Sequence, residues 1–250
     1  MRDPIRAHPW ARPLTACRQG GPIWLFDLDN TLHNASGGIF QAIDQRMRIG
    51  VAQTLGVDMD TADRLRMEYW QRYGATMIGL HRHHGADPAA FLKHAHDFDV
   101  PALLSAEKGL PAQVRRLPGY KLLLTNAPLE YARRVLKALN LLPVFDGIWA
   151  IEHMQLQGRY RPKPSRALMR QTLAVLQSQA RDIILVEDTL RNLKSARQLG
   201  MRTIHIYNAG TPFSALHRGR NQYVDSRISR IAQLGNHRHN GSSPEKTGMT

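Results

Sequence analysis

The sequence predicts an α/β fold, a parallel sheet flanked by helices, with an all-helical segment inserted after the first strand. Three observations carry that prediction. Short apolar runs end abruptly in polar residues near 23–27, 120–126 and 183–188. From residue 120 onward such runs alternate with stretches of helical period. Between the first and second runs only helical periodicity appears.

Ile23-Trp24-Leu25-Phe26 is too short for a helix and apolar on both faces, which suits a strand inside a parallel sheet. Ile39, Ile43, Met47, Val51 and Leu55 then recur four apart and mark one face of an amphipathic helix. A second helix is expected from about Thr61 to Tyr73. A third runs from Asp87 to Phe98, with Asp87-Pro88 as N-cap and first turn. Pro101 to Pro118 leads back to the sheet. There the order is strand 120–125, helix 128–139, strand Gly147–Ile151, helix 165–178, strand 183–187, helix 190–199, strand 202–206 and a final strand near Gln222–Val224. The chain therefore divides into a flexible basic segment at 1–20, a core of 21–35 and 117–234, a helical cap with linkers at 36–116, and a disordered polar tail at 235–250.

Composition sets bounds on partners. The 250 residues are 42% hydrophobic, enough for a sizeable core. No apolar run approaches the roughly 18 residues that cross a bilayer, and the first residues, broken by prolines and charges, lack a secretory core. The single cysteine, Cys17, permits no internal disulfide and fits a reducing compartment, so a cytoplasmic location is expected. The net charge of +14 raises nucleic acid as a partner. The basic residues are spread along the chain with no dense run interleaved with aromatics, so a generally basic surface with basic ends is preferred over a basic cleft that attracts phosphate. His237 and His239 in the tail are read as solvated.

The chemistry is concentrated where strands end. Asp27 and Asp29, two apart, share one side of an extended backbone. As a lone pair they would read as turn or N-cap aspartates. Paired carboxylates at a buried strand end repel and lose hydration, and a hard divalent cation such as magnesium compensates both costs. The second strand ends in Thr125-Asn126, Lys163 stands between Pro162 and Pro164 before a helix, and the third ends in Glu187-Asp188. Asp182, at the start of that strand, reads as turn chemistry.

This ordered set resembles the four motifs of the haloacid dehalogenase superfamily of aspartate-based phosphohydrolases. The resemblance implies a Rossmann-like core under a helical cap and a Mg2+ cofactor. It implies Asp27 as nucleophile and Asp29 as general acid and base, the latter suited by a pKa raised by a nearby carboxylate. It implies Thr125, Asn126 and Lys163 as phosphate binders, and Asp27, Asp188 and the Asp29 backbone carbonyl as metal ligands. Glu187 and Asn192 would support that shell, with the ligand choice between Glu187 and Asp188 left open. An aspartate at position 29 favours phosphoryl transfer over dehalogenation. The stretch Glu68–Leu80, with a Tyr-x-x-x-Tyr-Gly-x-x-x-x-Gly-Leu pattern, further resembles the pyrimidine 5′-nucleotidase branch. Tyr69 and Tyr73 share a helix face, either to stack a base or to pack the cap's own core. Gly74 and Gly79 would break the helix and let a loop approach substrate. His81, His83 and His84 follow without matching acids, which argues for substrate contacts or a polar loop over a metal site.

The expected activity is magnesium-dependent hydrolysis of nucleoside 5′-monophosphates, pyrimidines preferred. A phosphatase or phosphomutase for sugar phosphates is the first alternative, and a basic nucleic-acid-binding protein on the same fold is the second.

Overall fold

A computed structural model of the chain describes residues 21–207 and 222–239. Cys17 and most of the two expected terminal segments lie outside the described residues, as do the side chains of His237 and His239. The strands are β1 (Ile23–Phe26), β2 (Tyr120–Leu124), β3 (Gly147–Trp149), β4 (Gln155–Leu156), β5 (Arg159–Tyr160), β6 (Ile183–Glu187), β7 (Arg202–Ile206) and β8 (Ser226–Ile228). The helices are α1 (Ile39–Leu55), α2 (Met59–Tyr73), α3 (Thr76–His84), α4 (Pro88–Ala95), α5 (Val100–Leu103), α6 (Leu110–Arg115), α7 (Leu129–Ala138), α8 (Arg166–Leu176) and α9 (Leu190–Arg197).

Six strands form one parallel sheet in the order β3-β2-β1-β6-β7-β8, while β4 and β5 make a separate antiparallel hairpin. β1 is central: Ile23 pairs with Tyr120 on one side and with Ile183 on the other. All four residues of β1 are buried, and alternation divides them between two cores. Trp24 and Phe26 join Leu123, Ile148, Val186 and the α7 residues Tyr131 and Val135. Ile23 and Leu25 join Leu122, Leu185 and the α8 and α9 residues Leu168 and Leu193. At roughly 1.5–3 kcal/mol for each fully buried large apolar side chain, these two layers supply most of the drive to fold. The parallel α/β architecture with flanking helices is as the sequence predicts.

The last strand is not at Gln222–Val224. It forms at Ser226–Ile228, with Ser226 opposite Ile204 and Ile228 opposite Ile206. Burial decides the register. Ile228 enters the core layer of Trp24, whereas Asp225 is spent beforehand accepting from the Thr203 N–H at 2.8 Å.

Six helices occupy the stretch between β1 and β2. Val51, Ala62, Tyr69, Met77, Leu80 and Phe91, from α1 to α4, pack into a third cluster with Ile151 of the α/β body. Caps delimit these helices: Asp58 accepts from the Asp60 and Thr61 N–H groups, and Asp87 from those of Ala89 and Ala90. By contrast, Val100, Leu110 and Val114 of α5 and α6 lie in the Trp24 core layer, so the return segment packs on the sheet side.

The two glycines of the Tyr-Gly pattern differ in role. Gly74 ends α2 in a left-handed conformation, φ 83°, as expected of a helix stop. Gly79 does not break a helix but lies inside α3. A Cβ there would sit 2.1 Å from the Tyr69 Cγ, so the residue serves close helix–helix approach.

Candidate active site

Because β1, β2 and β6 are parallel, their carboxyl ends open on one edge of the sheet, where such folds bind ligands. The Asp27 N–H donates to the Val186 carbonyl at 3.0 Å, extending the ladder by one residue before the chain turns. The Thr125 N–H does the same with Trp149 at 3.0 Å. Glu187 is the last residue of β6, and Asp188 follows it.

Lys163 arrives from the loop before α8. Its ammonium lies 2.6 Å from Asp27 Oδ1 and 2.7 Å from Glu187 Oε2, and its side chain is 1% exposed. Asn126 fixes that loop: the Lys163 N–H donates to Asn126 Oδ1 at 2.9 Å, and Asn126 Nδ2 donates to the Lys163 carbonyl at 3.0 Å. The phosphate-binding expectation named the Asn126 backbone; the side chain has this separate clasping contact. Thr125 is buried, its Oγ accepting from the Ala127 N–H at 3.0 Å.

Asp27, Glu187 and Asp188 offer carboxylate oxygens within 4.8 Å of one another. Three acids thus face one ammonium, and the excess negative charge is visible in their titration. Burial, then Glu187, push Asp27 up to about 7 against the pull of Lys163. Burial and Glu187 likewise hold Asp188 well above the usual carboxylate range. Glu187 is itself lowered: burial opposes ionisation, but Lys163 and hydrogen bonds from Asp188 and the Thr189 N–H prevail. Clustered hard oxygens with uncompensated charge fit a divalent cation such as magnesium.

Asp29 lies apart from that triad. Its Oδ1 accepts from the Tyr131 hydroxyl at 2.7 Å and from His33 Nε2 at 3.0 Å. The expectation that a neighbouring carboxylate raises Asp29 is overturned: burial alone would raise it, but the hydrogen bonds and charge of His33 and the Tyr131 hydroxyl hold it below its ordinary value. The upward shift falls on Asp27 instead, through burial first and the adjacent Glu187 second.

Sequence reasoning did not find Tyr131 or His33. His33 lies four residues after Asp29, within reach of a short-range search. Tyr131 is 102 positions away and gives only an apolar-stripe signal on α7. Asn192 is buried in the first turn of α9, where its N–H donates to the Thr189 carbonyl at 3.0 Å. Among the described residues no hydrogen bond joins its side chain to the acidic pair.

The helical insertion reaches this edge through Gly74, where a Cβ would lie 3.6 Å from the Lys163 carbonyl oxygen and 3.5 Å from Pro162 Cγ. Tyr73, the adjoining residue, is half-buried; its hydroxyl bonds His83 Nε2 at 2.6 Å, and the Arg72 and Arg82 guanidinium groups lie over its ring. Tyr69 is buried in the insertion's own cluster, with its hydroxyl 2.7 Å from His84 Nε2. His81 bonds the Ala86 carbonyl. The three histidines thus have ordinary protein partners.

A parallel α/β fold with an acid triad and a buried lysine at its strand ends is consistent with a hydrolase. The chain belongs to the haloacid dehalogenase-like hydrolases, whose family model matches residues 23–200. Among curated proteins it is 27% identical over 198 residues to "Phosphate metabolism protein 8" of Saccharomyces cerevisiae, an alignment covering 74% of this chain and 61% of the yeast protein. The fold is similar to a HAD phosphatase from Thermococcus onnurineus, with TM-score 0.58, 21% identity and 86% and 96% of the two chains covered. It is equally similar to CbbY from Rhodobacter sphaeroides, solved with phosphate, with TM-score 0.58, 20% identity and 86% and 97% coverage. No helix among the described residues is long and apolar enough to cross a membrane.

Proposed function

We propose that the chain is a magnesium-dependent phosphomonoesterase that hydrolyses nucleoside 5′-monophosphates, pyrimidines preferred, through an aspartyl-phosphate on Asp27. The observation that carries this reading is the buried Lys163 ammonium clasped between Asp27 and Glu187, with Asp188 in reach, at the carboxyl edge of the sheet. A fixed cation there lowers the repulsion between a carboxylate nucleophile and a phosphate dianion.

An Asp27 oxygen attacks phosphorus in line, and the P–O bond to the ester oxygen breaks. Asp29 gives that oxygen a proton. Asp29 then takes a proton from water, whose oxygen attacks the phosphorus of the aspartyl-phosphate, releasing inorganic phosphate and free Asp27. A phosphate dianion arriving opposite Asp29 favours its protonated form, which offsets the lowering by His33 and Tyr131. The Thr125 hydroxyl, its oxygen already engaged by the Ala127 N–H, turns its hydrogen to a phosphate oxygen, and the Asn126 backbone N–H is a second donor. Asp27, Asp188 and the Asp29 carbonyl would hold magnesium, which would neutralise part of the charge that nucleophile and phosphate bring together. Glu187 shares Lys163 with Asp27 and so supports the triad.

Tyr73 supports the nucleotide assignment, since it adjoins the glycine that abuts the Lys163 loop and its ring is half-buried. Stacking on a base is worth roughly 1–3 kcal/mol. The burial of Tyr69 favours a second reading, a phosphatase or phosphomutase for sugar phosphates, because only one of the two aromatic residues then remains to hold a base.

Phosphate release from UMP, CMP, AMP, GMP and several sugar phosphates, with and without magnesium and with Asp27→Asn as control, tests the assignment. Magnesium-dependent turnover led by UMP and CMP supports it. Turnover led by sugar phosphates replaces the substrate class, and undiminished turnover in Asp27→Asn removes the mechanism.

A further inference from the structure

The candidate acid and base is held by contacts that the reaction as written above does not use. Asp29 Oδ1 receives both the Tyr131 hydroxyl, at 2.7 Å, and His33 Nε2, at 3.0 Å. An ionised carboxylate only accepts, so both partners donate. The phenol cannot swing away: Tyr131 is 1% exposed, its ring 5.0 Å from that of His96 and 6.1 Å from that of Phe98. Arg134, one turn further along α7, donates to the carbonyls of both His96 and Phe98 and ties that segment to the same helix.

We propose that Tyr131 and His33 are positioning residues that engage Asp29 Oδ1 and thereby present Oδ2 alone for proton transfer. The inference rests on the phosphomonoesterase reading and deepens it. In the first step the Oδ2–H bond breaks and its proton passes to the ester oxygen as the P–O bond opens. In the second, Oδ2 takes a proton from the attacking water. A carboxylate free to rotate would divide its population between productive and unproductive orientations, and misplacement of a reacting group by about 1 Å can cost about 100-fold in rate.

Leaving-group dependence tests the assignment. An alkyl phosphate needs the proton because an alkoxide is a poor leaving group, whereas p-nitrophenyl phosphate expels a stabilised phenolate without one. kcat/KM reports the steps through aspartyl-phosphate formation, in which the leaving group departs. For Tyr131→Phe, kcat/KM for the best alkyl ester of the panel should fall about 10- to 100-fold while that for p-nitrophenyl phosphate stays within about twofold. His33→Leu should give the same selective loss by removing the other donor, and the aryl ester reports a folded site in each variant. Equal losses on both esters, or no loss on either, overturn the positioning role while the parent enzyme's magnesium-dependent activity leaves the phosphomonoesterase reading standing. A parent enzyme that turns over neither ester overturns that reading and this one together.

Discussion

Replacing Asp27 by asparagine should stabilise the metal-free protein at alkaline pH while abolishing turnover. The carboxyl is moved from 3.8 to about 7, chiefly by burial and by Glu187. Between those two values the folded chain holds a proton that the unfolded chain has released. The slope of unfolding free energy with pH is therefore negative, and stability falls as pH rises through that window. At about 1.4 kcal/mol per pH unit, the shift from 3.8 to about 7 costs the fold about 4 kcal/mol at pH 8. Asparagine resembles the neutral acid and escapes the cost. For a chain of this size that gain corresponds to a rise in melting temperature of roughly 8–16 °C. Thermal and urea denaturation of both proteins in EDTA, at intervals from pH 4 to 8, measures the difference. The parent should lose stability across the window and the variant should not. Adding magnesium at pH 8 should recover stability in the parent, by about 2.7 kcal/mol at a hundredfold excess over its dissociation constant, and recover less in the variant. Parallel pH profiles, or a variant less stable than the parent at pH 8, would refute the charge-crowding argument.

Lys163→Met removes the ammonium shared by two buried carboxylates and should cost about 3–5 kcal/mol at pH 8 in urea titration. The deficit should shrink at pH 5, where Asp27 takes up a proton. Asn126→Ala leaves Lys163 in place but unclasps its loop; activity should fall by at least about tenfold, with a smaller stability loss of about 1–2 kcal/mol. Gly79→Ala places a Cβ 2.1 Å from the Tyr69 ring and should destabilise the helical insertion by about 1–3 kcal/mol, seen as a lower urea midpoint. An unchanged midpoint would show that α2 and α3 separate at no cost.

The sheet was legible because its signals are local. β1 could be read to the residue from four apolar side chains, and Asp27, Thr125 and Asp188 follow from where such runs stop. Lys163 was legible only by its place in an ordered set, since nothing in Arg-Pro-Lys-Pro announces a buried ammonium. What was not legible depends on distant partners. β8 is set by the residues opposite it on β7, not by the apolarity of Tyr223 and Val224. Gly79 carries the same letter whether it ends a helix or admits a tyrosine ring, and only the packing of α2 against α3 separates the two. Burial would raise Asp29, and the lowering comes first from His33, four residues on, and then from a phenol on α7 that lies 102 positions away.

The central place of β1 has a consequence for how the molecule is made. β1, the first of the described strands, has both its neighbours, β2 and β6, beyond the whole helical insertion. Lys163, which neutralises Asp27, lies 136 positions further on. The helices between Ile39 and Ala95 rest largely on short-range contacts and can form during synthesis, while β1 must wait with its apolar side chains unpaired. Assembly of the sheet is therefore a late, long-range event, and Asp27 joins Glu187 and Asp188 only once β6 has been added. A chain cut before Glu187 keeps α1 to α8 but lacks both Glu187 and Asp188, so the three-acid cluster exists only once the end of β6 is in place.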